Sequence, residues 1–247
     1  VSRRGQHWDI SVQVEMEVPE PVHPSVSSIG LDLGIARFAA LSDETFIEAL
    51  NIFKKLESML ARLQRDLAHK VKGSKNWLKQ KAKINRLHIR IADTRKDFLH
   101  KNSTAISKNH ALVIVEALKV SNMSASAKGT LEEPGINVRA KAGLNKAILD
   151  QGWFEFRRQL EYKLSWRGGM LLTVPHHHTS QECPICHFVS PDNRKSQAVF
   201  RCIDCGYTSN ADTVAAKNIK AAGHAVLACG EHRNSDSVKQ EPAGAVS

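Results

Sequence analysis

The apolar positions of the chain repeat with two different periods, which divide it into strand-like and helix-like segments. Residues 8–18 alternate between apolar and polar side chains, and this period of two predicts a half-buried strand. Residues 26–41 are apolar on both sides of Gly34, which predicts a buried strand ending near Asp32, a turn, and a second strand. Several prolines separate these two regions, so we predict a linker that runs to about Ser25.

Residues 53–101 have the period of a helix instead. Leucines at positions 56, 60, 63 and 67 lie on one helix face, and apolar residues between 84 and 98 form a second such face. Gly73 and Ser74 divide the two sets, so we predict a helical hairpin. This segment carries 15 Lys and Arg but only four Asp and Glu. Because surface helices usually mix both signs, we favour a polyanion-binding surface over the alternative of a solvated basic face.

Short apolar segments alternate with helical ones after this hairpin. Residues 111–116 are continuously apolar and end in Glu116, which predicts a strand in the middle of a sheet. We predict a mobile polar loop over residues 121–143, a helix over residues 144–166 and another strand over residues 170–174.

The composition indicates a partner with negative charge. The chain has 247 residues, 42% of them hydrophobic, with a mean hydropathy of −0.32, which suits one or two domains. A net charge of +10 and a pI near 9.5 favour nucleic acid. An anionic membrane would attract the same charge, but no segment has the bulky apolar face and Lys-rich flanks for docking there.

The sequence shows neither a membrane-spanning segment nor a secretion signal. No apolar run approaches the roughly 18 residues of a membrane span, and the N-terminus has no apolar leader. We therefore expect no membrane partner and a cytoplasmic, nucleoid-associated protein. The chain begins with Val1, so we expect it to be a fragment of a longer protein.

Four of the five cysteines form two Cys-x-x-Cys pairs. Fifteen residues separate the pair Cys183 and Cys186 from the pair Cys202 and Cys205, which is the spacing of a zinc ribbon. Four thiolates complete a tetrahedral shell, so we predict a structural zinc ion whose binding supplies much of the folding energy of this polar segment. A pair of redox dithiols is the alternative.

Five nearby residues are left outside the predicted shell. We expect His176, His177 and His178 to be exposed or to contact phosphate, with ligation of the metal as the less favoured alternative. His187 stands where a small residue would ease the turn after the first pair. Cys229 has no partner in the pattern, and we assign it no role.

Three acidic residues lie where charge is usually excluded. Asp32 lies within the apolar hairpin, Glu116 ends a buried strand, and Asp212 opens the helix after the ribbon. A buried carboxylate is costly unless it is paired, hydrogen-bonded or bound to a metal. Ordinary explanations stay open: Asp32 could bond the backbone at the Gly34 turn, Glu116 could end its strand at the solvent boundary, and Asp212 could be a helix N-cap.

Six short motifs follow one another in a distinctive order. They are Ile-Gly-Leu-Asp32-Leu-Gly-Ile-Ala, Arg95-Lys-Asp-Phe-Leu-His-Lys101, Val-Ile-Val-Glu116-Ala-Leu-Lys-Val, Gly152-Trp-Phe-Glu-Phe-Arg-Arg-Gln-Leu160, Thr179-Ser-Gln-Glu-Cys-Pro-Ile-Cys186 and Asn210-Ala-Asp212. In this order they resemble the RuvC motifs and later segments of the OrfB/TnpB nucleases that insertion-sequence transposons encode. The resemblance covers residues 27–223.

This resemblance implies an α/β fold of the RNase H-like (RuvC) class: a mixed five-stranded sheet flanked by helices, with an inserted basic helical hairpin and an inserted zinc ribbon. It implies a metal-dependent, RNA-guided DNA endonuclease with DNA and a guide RNA as partners. Asp32, Glu116 and Asp212 match the acids that hold two Mg²⁺ or Mn²⁺ ions, for which carboxylate oxygens are suitable ligands. The basic hairpin matches the helices along the guide–target duplex. The nucleic-acid contacts expected there are Lys54, Lys55, Arg62, Arg65, Lys70, Lys72, Lys75, Lys79, Arg86 and Arg90.

The resemblance also divides the chain into segments. We expect a remnant wedge-barrel strand and linker over residues 1–25, a RuvC-like core over 26–178 with the hairpin at 53–101, the ribbon over 179–208, a final RuvC segment over 209–224 and a disordered tail over 225–247. A short helix is predicted over residues 211–222.

Some positions depart from the family pattern. Ala117 stands where the family often has Asp, Val214 where it commonly has Asn, and His187 where Gly is usual. Most of the wedge and recognition regions would precede this chain. A truncated, catalytically silent nucleic-acid-binding remnant is therefore the alternative function, and an actin-like ATPase is a weaker one because it leaves the ribbon unexplained.

Overall fold

A computed structural model describes residues 1–4, 7–15, 19–130, 132–175 and 179–230. Its centre is a mixed sheet of five strands in the order β5-β4-β3-β6-β7. The central strand β3 is antiparallel to β4 and parallel to β6, and β6 is parallel to β7. Two small hairpins, β1-β2 and β8-β9, lie outside it. The strands are β1 Ser2–Arg4, β2 His7–Asp9, β3 Ser28–Leu33, β4 Arg37–Leu41, β5 Phe46–Glu48, β6 Leu112–Glu116, β7 Met170–Val174, β8 Val199–Arg201 and β9 Thr208–Asn210.

Six α-helices accompany these strands in the described residues. Two of them, α1 and α2, occupy the segment between β5 and β6 and pack on each other through buried Leu60, Ile84, Leu87 and Ile91. The helical periods predicted for residues 53–101 are thereby confirmed. The helices are α1 Ile52–Ala68, α2 Lys75–Asn109, α3 Val120–Met123, α4 Val138–Gln151, α5 Trp153–Ser165 and α6 Ala211–Ala228.

Alternation along the central strands sends their side chains to two different layers. Val113 and Val115 of β6 pack in the cluster formed with α2 and α5, whereas Ile114 packs with Ile219 of α6. Because the period of a strand is two, Glu116 lies on the same side as Ile114 and faces α6. The functional consequence is that the end of this strand presents its carboxylate to the helix layer formed by α6.

The neighbouring strand β3 repeats this alternation. Ile29 and Leu31 are buried toward α2 and α5, and Gly30 faces α6. Asp32, two residues after Gly30, therefore lies on the α6 side as well. Gly30 also permits the close approach of α6, because a Cβ atom at this position would lie 2.3 Å from the Ala216 carbonyl oxygen and 2.8 Å from the Lys220 nitrogen.

This close approach makes a first prediction. A Gly30→Ala variant should lose about 2 kcal/mol or more of unfolding free energy, because the added methyl group must displace helix backbone. Gly143→Ala is the matched control: Gly143 lies within α4 with no atom near its missing Cβ, so alanine should gain about 0.5–1 kcal/mol. Urea unfolding measures both, and equal midpoints for the two variants would contradict the tight β3–α6 contact.

An ion pair between a buried carboxylate and a partly buried guanidinium joins three of the helices. The Arg95 guanidinium donates to Asp150 Oδ1 at 2.6 Å, and Asp150 Oδ2 accepts from the backbone N–H of Phe53 at 3.0 Å. The Asp150 carboxylate therefore joins α2, α4 and the first turn of α1. Since Arg95 begins one of the sequence motifs, this contact gives that motif a structural role.

The strand predicted over residues 8–18 is wrong in extent. Only β2 is a strand there, it pairs with β1, and residues 10–15 have no regular structure. The alternating Ile10, Val12 and Val14 are all exposed. An alternating pattern becomes a strand only when a neighbouring strand and an apolar layer are present to receive it. Residues 16–18 lie outside the described part.

Three further boundaries differ from prediction. The polar loop predicted for residues 121–143 contains α3 and the start of α4. The single helix predicted for residues 144–166 is two helices, because Gly152 adopts the left-handed conformation with φ of 72° and ends α4. The last helix continues to Ala228, so residues 225–228 of the predicted disordered tail are helical, whereas 231–247 lie outside the described residues.

Candidate functional site

Two of the predicted acids lie at the carboxyl ends of adjacent parallel strands. Leu31 of β3 stands opposite Val115 of β6 in the register, so Asp32 and Glu116 are the next residues along each strand. Both face α6, as the alternation of the two strands requires. The sheet thus brings together two carboxylates that are 84 positions apart in the sequence.

The third acid comes from the helix that covers this end of the sheet. Asp212 is in the first turn of α6, and the preceding Asn210 is the N-cap, whose side-chain oxygen accepts from the backbone N–H of Asp212 at 3.0 Å and of Thr213 at 3.2 Å. The N-cap explanation of Asp212 is therefore wrong. Asp32, Glu116 and Asp212 line one cavity of about 890 Å³.

Electrostatics confirm that the three carboxylates influence one another. Burial, together with the negative charges of Glu116 and Asp212, raises the pKa of Asp32 from 3.8 to about 7, while Arg194 opposes the shift. The explanation of Asp32 as a turn residue is also unsupported, because the Gly34 N–H donates to the Phe38 carbonyl oxygen at 3.2 Å. A group of acids that repel one another can be stabilised by a cation.

The cavity has a cationic side chain that sequence reasoning missed. Arg194 lines it, and its guanidinium lies 3.4 Å from Asp212 Oδ1. Arg194 lies in the loop between the two cysteine pairs, where it and the adjacent Lys195 stand among polar residues and give no periodic or motif signal. At this position it partly neutralises the acids and can also meet a phosphate that enters the cavity.

Glu116 is held at its strand end by a hydrogen bond. The Thr179 hydroxyl donates to Glu116 Oε1 at 2.6 Å, and Thr179 itself is buried. Glu116 is half-buried, so it does end its strand at the solvent boundary, but that explanation leaves out its bond with Thr179. Thr179 was noticed in the sequence only as the first residue of the motif before Cys183.

The four paired cysteines converge to form a second candidate site. Their sulfur atoms all lie within 4.8 Å of one another, with Cys183 Sγ 3.7 Å from Cys205 Sγ and Cys186 Sγ 3.5 Å from Cys202 Sγ. Zinc–sulfur bonds of about 2.3 Å in a tetrahedron place sulfur atoms about 3.8 Å apart. The donor set and its spacing thus fit a Cys₄ zinc ion.

Each cysteine pair lies on a turn of the same kind. The backbone N–H of His187 donates to the Cys183 carbonyl, and that of Gly206 donates to the Cys202 carbonyl. Both residues have positive φ, 58° for His187 and 76° for Gly206. The sequence expectation that a small residue would ease the first turn is consistent with this backbone conformation. The His187 ring lies 2.8 Å from Glu182 Oε1.

Buried Asn193 ties the two turns together. Its side-chain nitrogen donates to the carbonyl oxygens of Gln181 at 2.9 Å and Phe188 at 3.0 Å, and its side-chain oxygen accepts from the backbone N–H of Ile203 at 3.0 Å. The polar segment between the cysteine pairs therefore has a hydrogen-bonded core in addition to its thiols.

The remaining predicted residues lie as follows. Nine of the ten basic positions expected to contact nucleic acid are exposed on α1, α2 and their connection, and Lys70 is half-buried. Cys229 is exposed at the end of α6. His176, His177 and His178 fall outside the described residues. Across the described ranges, the structure contains no helix long and apolar enough to cross a membrane.

Comparison with known proteins shows what the chain is related to. The family model OrfB_IS605, described as "Probable transposase", matches residues 11–127, which include Asp32 and Glu116. The model described as "Cas12f1-like, TNB domain" matches residues 153–219, which include the four paired cysteines and Asp212. The chain therefore contains an OrfB_IS605 transposase domain and a Cas12f1-like TNB domain. The family resemblance predicted from the sequence is confirmed.

The chain is 59% identical over 243 residues to "Putative RNA-guided DNA endonuclease InsQ" of Escherichia coli (strain K12), an alignment that covers 98% of the chain and 60% of that protein. It is 35% identical to "Putative RNA-guided DNA endonuclease" of Streptomyces pristinaespiralis, over 98% of the chain and 59% of that protein. The chain therefore spans about 60% of the length of these curated relatives.

A solved structure is also similar to the chain. The "Cryo-EM structure of the Cas12f1-sgRNA-target DNA complex" superposes with a TM-score of 0.49 and 20% sequence identity. The superposition covers 83% of this chain and 51% of that one.

Proposed function

We propose that this chain is the catalytic part of a metal-dependent, RNA-guided DNA endonuclease of the TnpB type. The observation that carries the proposal is the meeting of Asp32, Glu116 and Asp212, from three separate segments, around one cavity in which the pKa of Asp32 is raised to about 7. The names of the relatives support the substrate class, because they describe RNA-guided DNA endonucleases.

The residues that line the cavity have different roles in phosphodiester cleavage. Asp32, Glu116 and Asp212 offer the oxygen ligands that Mg²⁺ or Mn²⁺ prefers. Ions held by these three carboxylates would favour a hydroxide nucleophile and would stabilise the leaving oxygen. Arg194, beside Asp212, is positioned to bind an oxygen of the scissile phosphate and hold it near the acids.

The four-cysteine cluster has a different role in this proposal. Its four thiols leave no open position on a tetrahedral ion, so Cys183, Cys186, Cys202 and Cys205 hold a structural Zn²⁺ and take no part in cleavage. The ribbon that they close, residues 179–208, lies between the core at 26–178 and the final segment at 209–224 that carries Asp212.

The pair α1/α2 supplies the surface for the nucleic-acid backbone. Its exposed lysines and arginines account for the positive charge of the chain, since residues 53–101 carry 15 basic and four acidic residues. Phosphate contacts of this kind release counterions and do not depend on base sequence. A guide RNA paired with target DNA presents such a backbone on both strands, so we assign the ten basic positions to that duplex.

A cleavage assay tests the proposal. The purified chain should nick DNA only when Mg²⁺ or Mn²⁺ is present, and Glu116→Gln or Asp212→Asn should slow cleavage by at least about a hundredfold, because each removes an ion ligand. Glu161→Gln, on an exposed face of α5, is the matched control and should cut normally. In the same experiment, replacing Lys72, Lys75 and Lys79 with Gln should weaken binding and reduce its dependence on salt.

Two outcomes would overturn parts of the proposal. Binding without cation-dependent nicking by the wild-type chain would favour the catalytically silent nucleic-acid-binding remnant. Equal nicking by the wild-type chain and both acid variants would assign the activity to something other than these carboxylates. Binding that is insensitive to salt would remove α1/α2 as the contact surface.

A further inference from the structure

A continuous set of hydrogen bonds connects the four-cysteine ribbon with one of the three acids. It begins at Asn218 of α6, whose side-chain nitrogen donates to the backbone carbonyl oxygens of both Glu182 and Thr179, each at 2.8 Å. The Thr179 hydroxyl in turn donates to Glu116 Oε1 at 2.6 Å. Glu182 directly precedes Cys183, the first cysteine of the ribbon.

Thr179 and Asn218 are buried, so their hydrogen bonds are protected from competition with water. Thr179 is 6% exposed and Asn218 is 7% exposed. An amide that donates to two backbone carbonyls from within a helix layer has a defined orientation, because losing either bond would leave a buried polar group unpaired. Asn218 therefore holds the segment from Thr179 to Glu182 in one place relative to α6.

The bond from Thr179 to Glu116 has a consequence for cation binding. A free glutamate side chain loses about 1.5–2 kcal/mol of rotamer entropy when it is ordered. The Thr179 hydroxyl orders the Glu116 carboxylate in advance by occupying a lone pair of Oε1, while Oε2 can turn to the cavity shared with Asp32 and Asp212. A short bond from a hydroxyl to a carboxylate is among the stronger hydrogen bonds in proteins.

We propose that Thr179 and Asn218 are positioning residues for Glu116 and couple the ribbon to the carboxylate site. This inference rests on the proposed function, because it assumes that the three acids bind divalent cations. Thr179 acts on Glu116 directly. Asn218 acts through Thr179, by fixing the backbone that carries the hydroxyl.

The order of residues along the chain connects the ribbon to the carboxylate site on both sides. The segment that leads into the ribbon contains Thr179 and Glu182, and the segment that follows it contains Asn210 and Asp212. Both segments that connect the ribbon to the core therefore carry residues of the site. Asn218 closes the loop by holding the entering segment against the helix that starts at the leaving one. A folded ribbon thereby helps to fix the positions of both Glu116 and Asp212.

The test is a set of variants that separates the hydroxyl from the volume of Thr179. Thr179→Val keeps the shape and removes the donor, whereas Thr179→Ser keeps the donor. The readout is Mn²⁺ affinity, measured from the loss of the electron paramagnetic resonance signal of free Mn²⁺ as protein is added. Thr179→Val should bind Mn²⁺ about ten- to a hundredfold more weakly, the usual effect of losing a residue that orients a ligand. Thr179→Ser should stay within about threefold of the wild-type chain.

A double variant tests the route through Thr179. Asn218→Ala alone should weaken Mn²⁺ binding, but in the Thr179→Val background it should have little further effect, because the two residues act in series. Zinc content and far-ultraviolet circular dichroism of every variant establish that the ribbon and the sheet are intact.

Each outcome decides between distinct conclusions. Wild-type affinity in a folded Thr179→Val variant, or an equal loss in Thr179→Val and Thr179→Ser, would overturn the positioning role while leaving the nuclease proposal in place. A double variant that loses the product of the two single effects would overturn the series arrangement. Failure of the wild-type chain itself to bind Mn²⁺ would overturn the carboxylate site and, with it, this inference.

Discussion

An Asp32→Asn variant without divalent cations should be more stable than the wild-type chain at pH 8, although it should not cut DNA. The reason is that the folded state holds an ionised Asp32 beside Glu116 and Asp212 in a site that also limits its hydration. Replacing the carboxylate with an uncharged amide of the same shape removes that cost. Residues arranged for a cation destabilise the protein when the cation is absent.

The sign of the pH dependence follows from the raised pKa. Burial and the two neighbouring carboxylates raise the pKa of Asp32 from 3.8 to about 7 in the folded chain. The folded state is therefore favoured fully below about pH 4, and this advantage is lost as the pH rises to about 7. The shift corresponds to at most about 4 kcal/mol, and we expect about 2 kcal/mol because the cavity admits water.

Urea unfolding with no added divalent cation measures this effect. At pH 8 the Asp32→Asn variant should exceed the wild-type chain by about 2 kcal/mol, and at pH 4 the difference should fall to less than half of that. Adding Mn²⁺ should reverse the order, because only the wild-type chain retains all three ligands. Asp66→Asn, on an exposed part of α1, is the matched control and should change little at either pH.

Two results would contradict this account. One is a variant that is less stable than the wild-type chain at pH 8. The other is a difference between them that is the same at pH 4 and pH 8, which would mean that the carboxylate does not titrate in this range.

Loss of zinc should unfold the ribbon without unfolding the sheet. The segment from Cys183 to Cys205 contains few buried apolar groups, chiefly Phe200 beside the cysteines themselves, so it cannot fold on a core of its own. Structural zinc in comparable small modules contributes about 10–16 kcal/mol of binding free energy, far more than Asn193 and its hydrogen bonds can replace. The sheet has a separate core formed by β3, β6, α2 and α5.

Limited proteolysis can follow this change. The wild-type chain should carry one zinc ion by elemental analysis and resist trypsin at Lys195 and Arg201, which lie within the ribbon. Cys202→Ser, or treatment with a strong chelator, should remove the ion and expose both positions to rapid cleavage. Cys229→Ser is the matched control, because Cys229 lies outside the cluster, and it should keep both the ion and the resistance.

A chain that lacks zinc when purified under reducing conditions would refute the metal assignment. Retention of trypsin resistance after chelation would show instead that the ribbon folds without its ion. A disulfide between the paired cysteines under the same conditions would favour the alternative of redox dithiols.

The sequence predicts well those elements whose formation depends on local pattern. The continuously apolar strand ending at Glu116 and the strand over residues 170–174 have nearly the predicted bounds. Both faces of β6 are covered, and the edge strand β7 buries Leu172 and Val174 against α6. The convergence of four cysteines was predictable as well, since short spacings within each pair limit where the sulfurs can point. Alternation alone failed for residues 8–18, because a strand also needs a partner.

The residues that surround the acids were harder to foresee. Arg194 reaches Asp212 from a loop with no period, and Thr179 reaches Glu116 across 63 positions of sequence. Such contacts depend on the packing of α6 against β3, which no local pattern encodes. Gly152 shows the same limit in the backbone: a single glycine divides a helical pattern into two helices, although the apolar period continues through it.

Asn210 belongs to two structures at once, because it is the last residue of β9 and the N-cap of α6. Asp212, two residues later, is therefore the last of the three acids to be synthesised, and it directly follows the ribbon in the chain. On the proposed mechanism, an unfinished chain has two carboxylates on its sheet and lacks the third, whereas a chain made without zinc has Asp212 but no folded ribbon beside it to help position it. Neither form then has three positioned carboxylates, so neither cuts the DNA of the cell that makes it. On this mechanism the ability to cut arises only when the chain is complete and its ribbon has bound zinc.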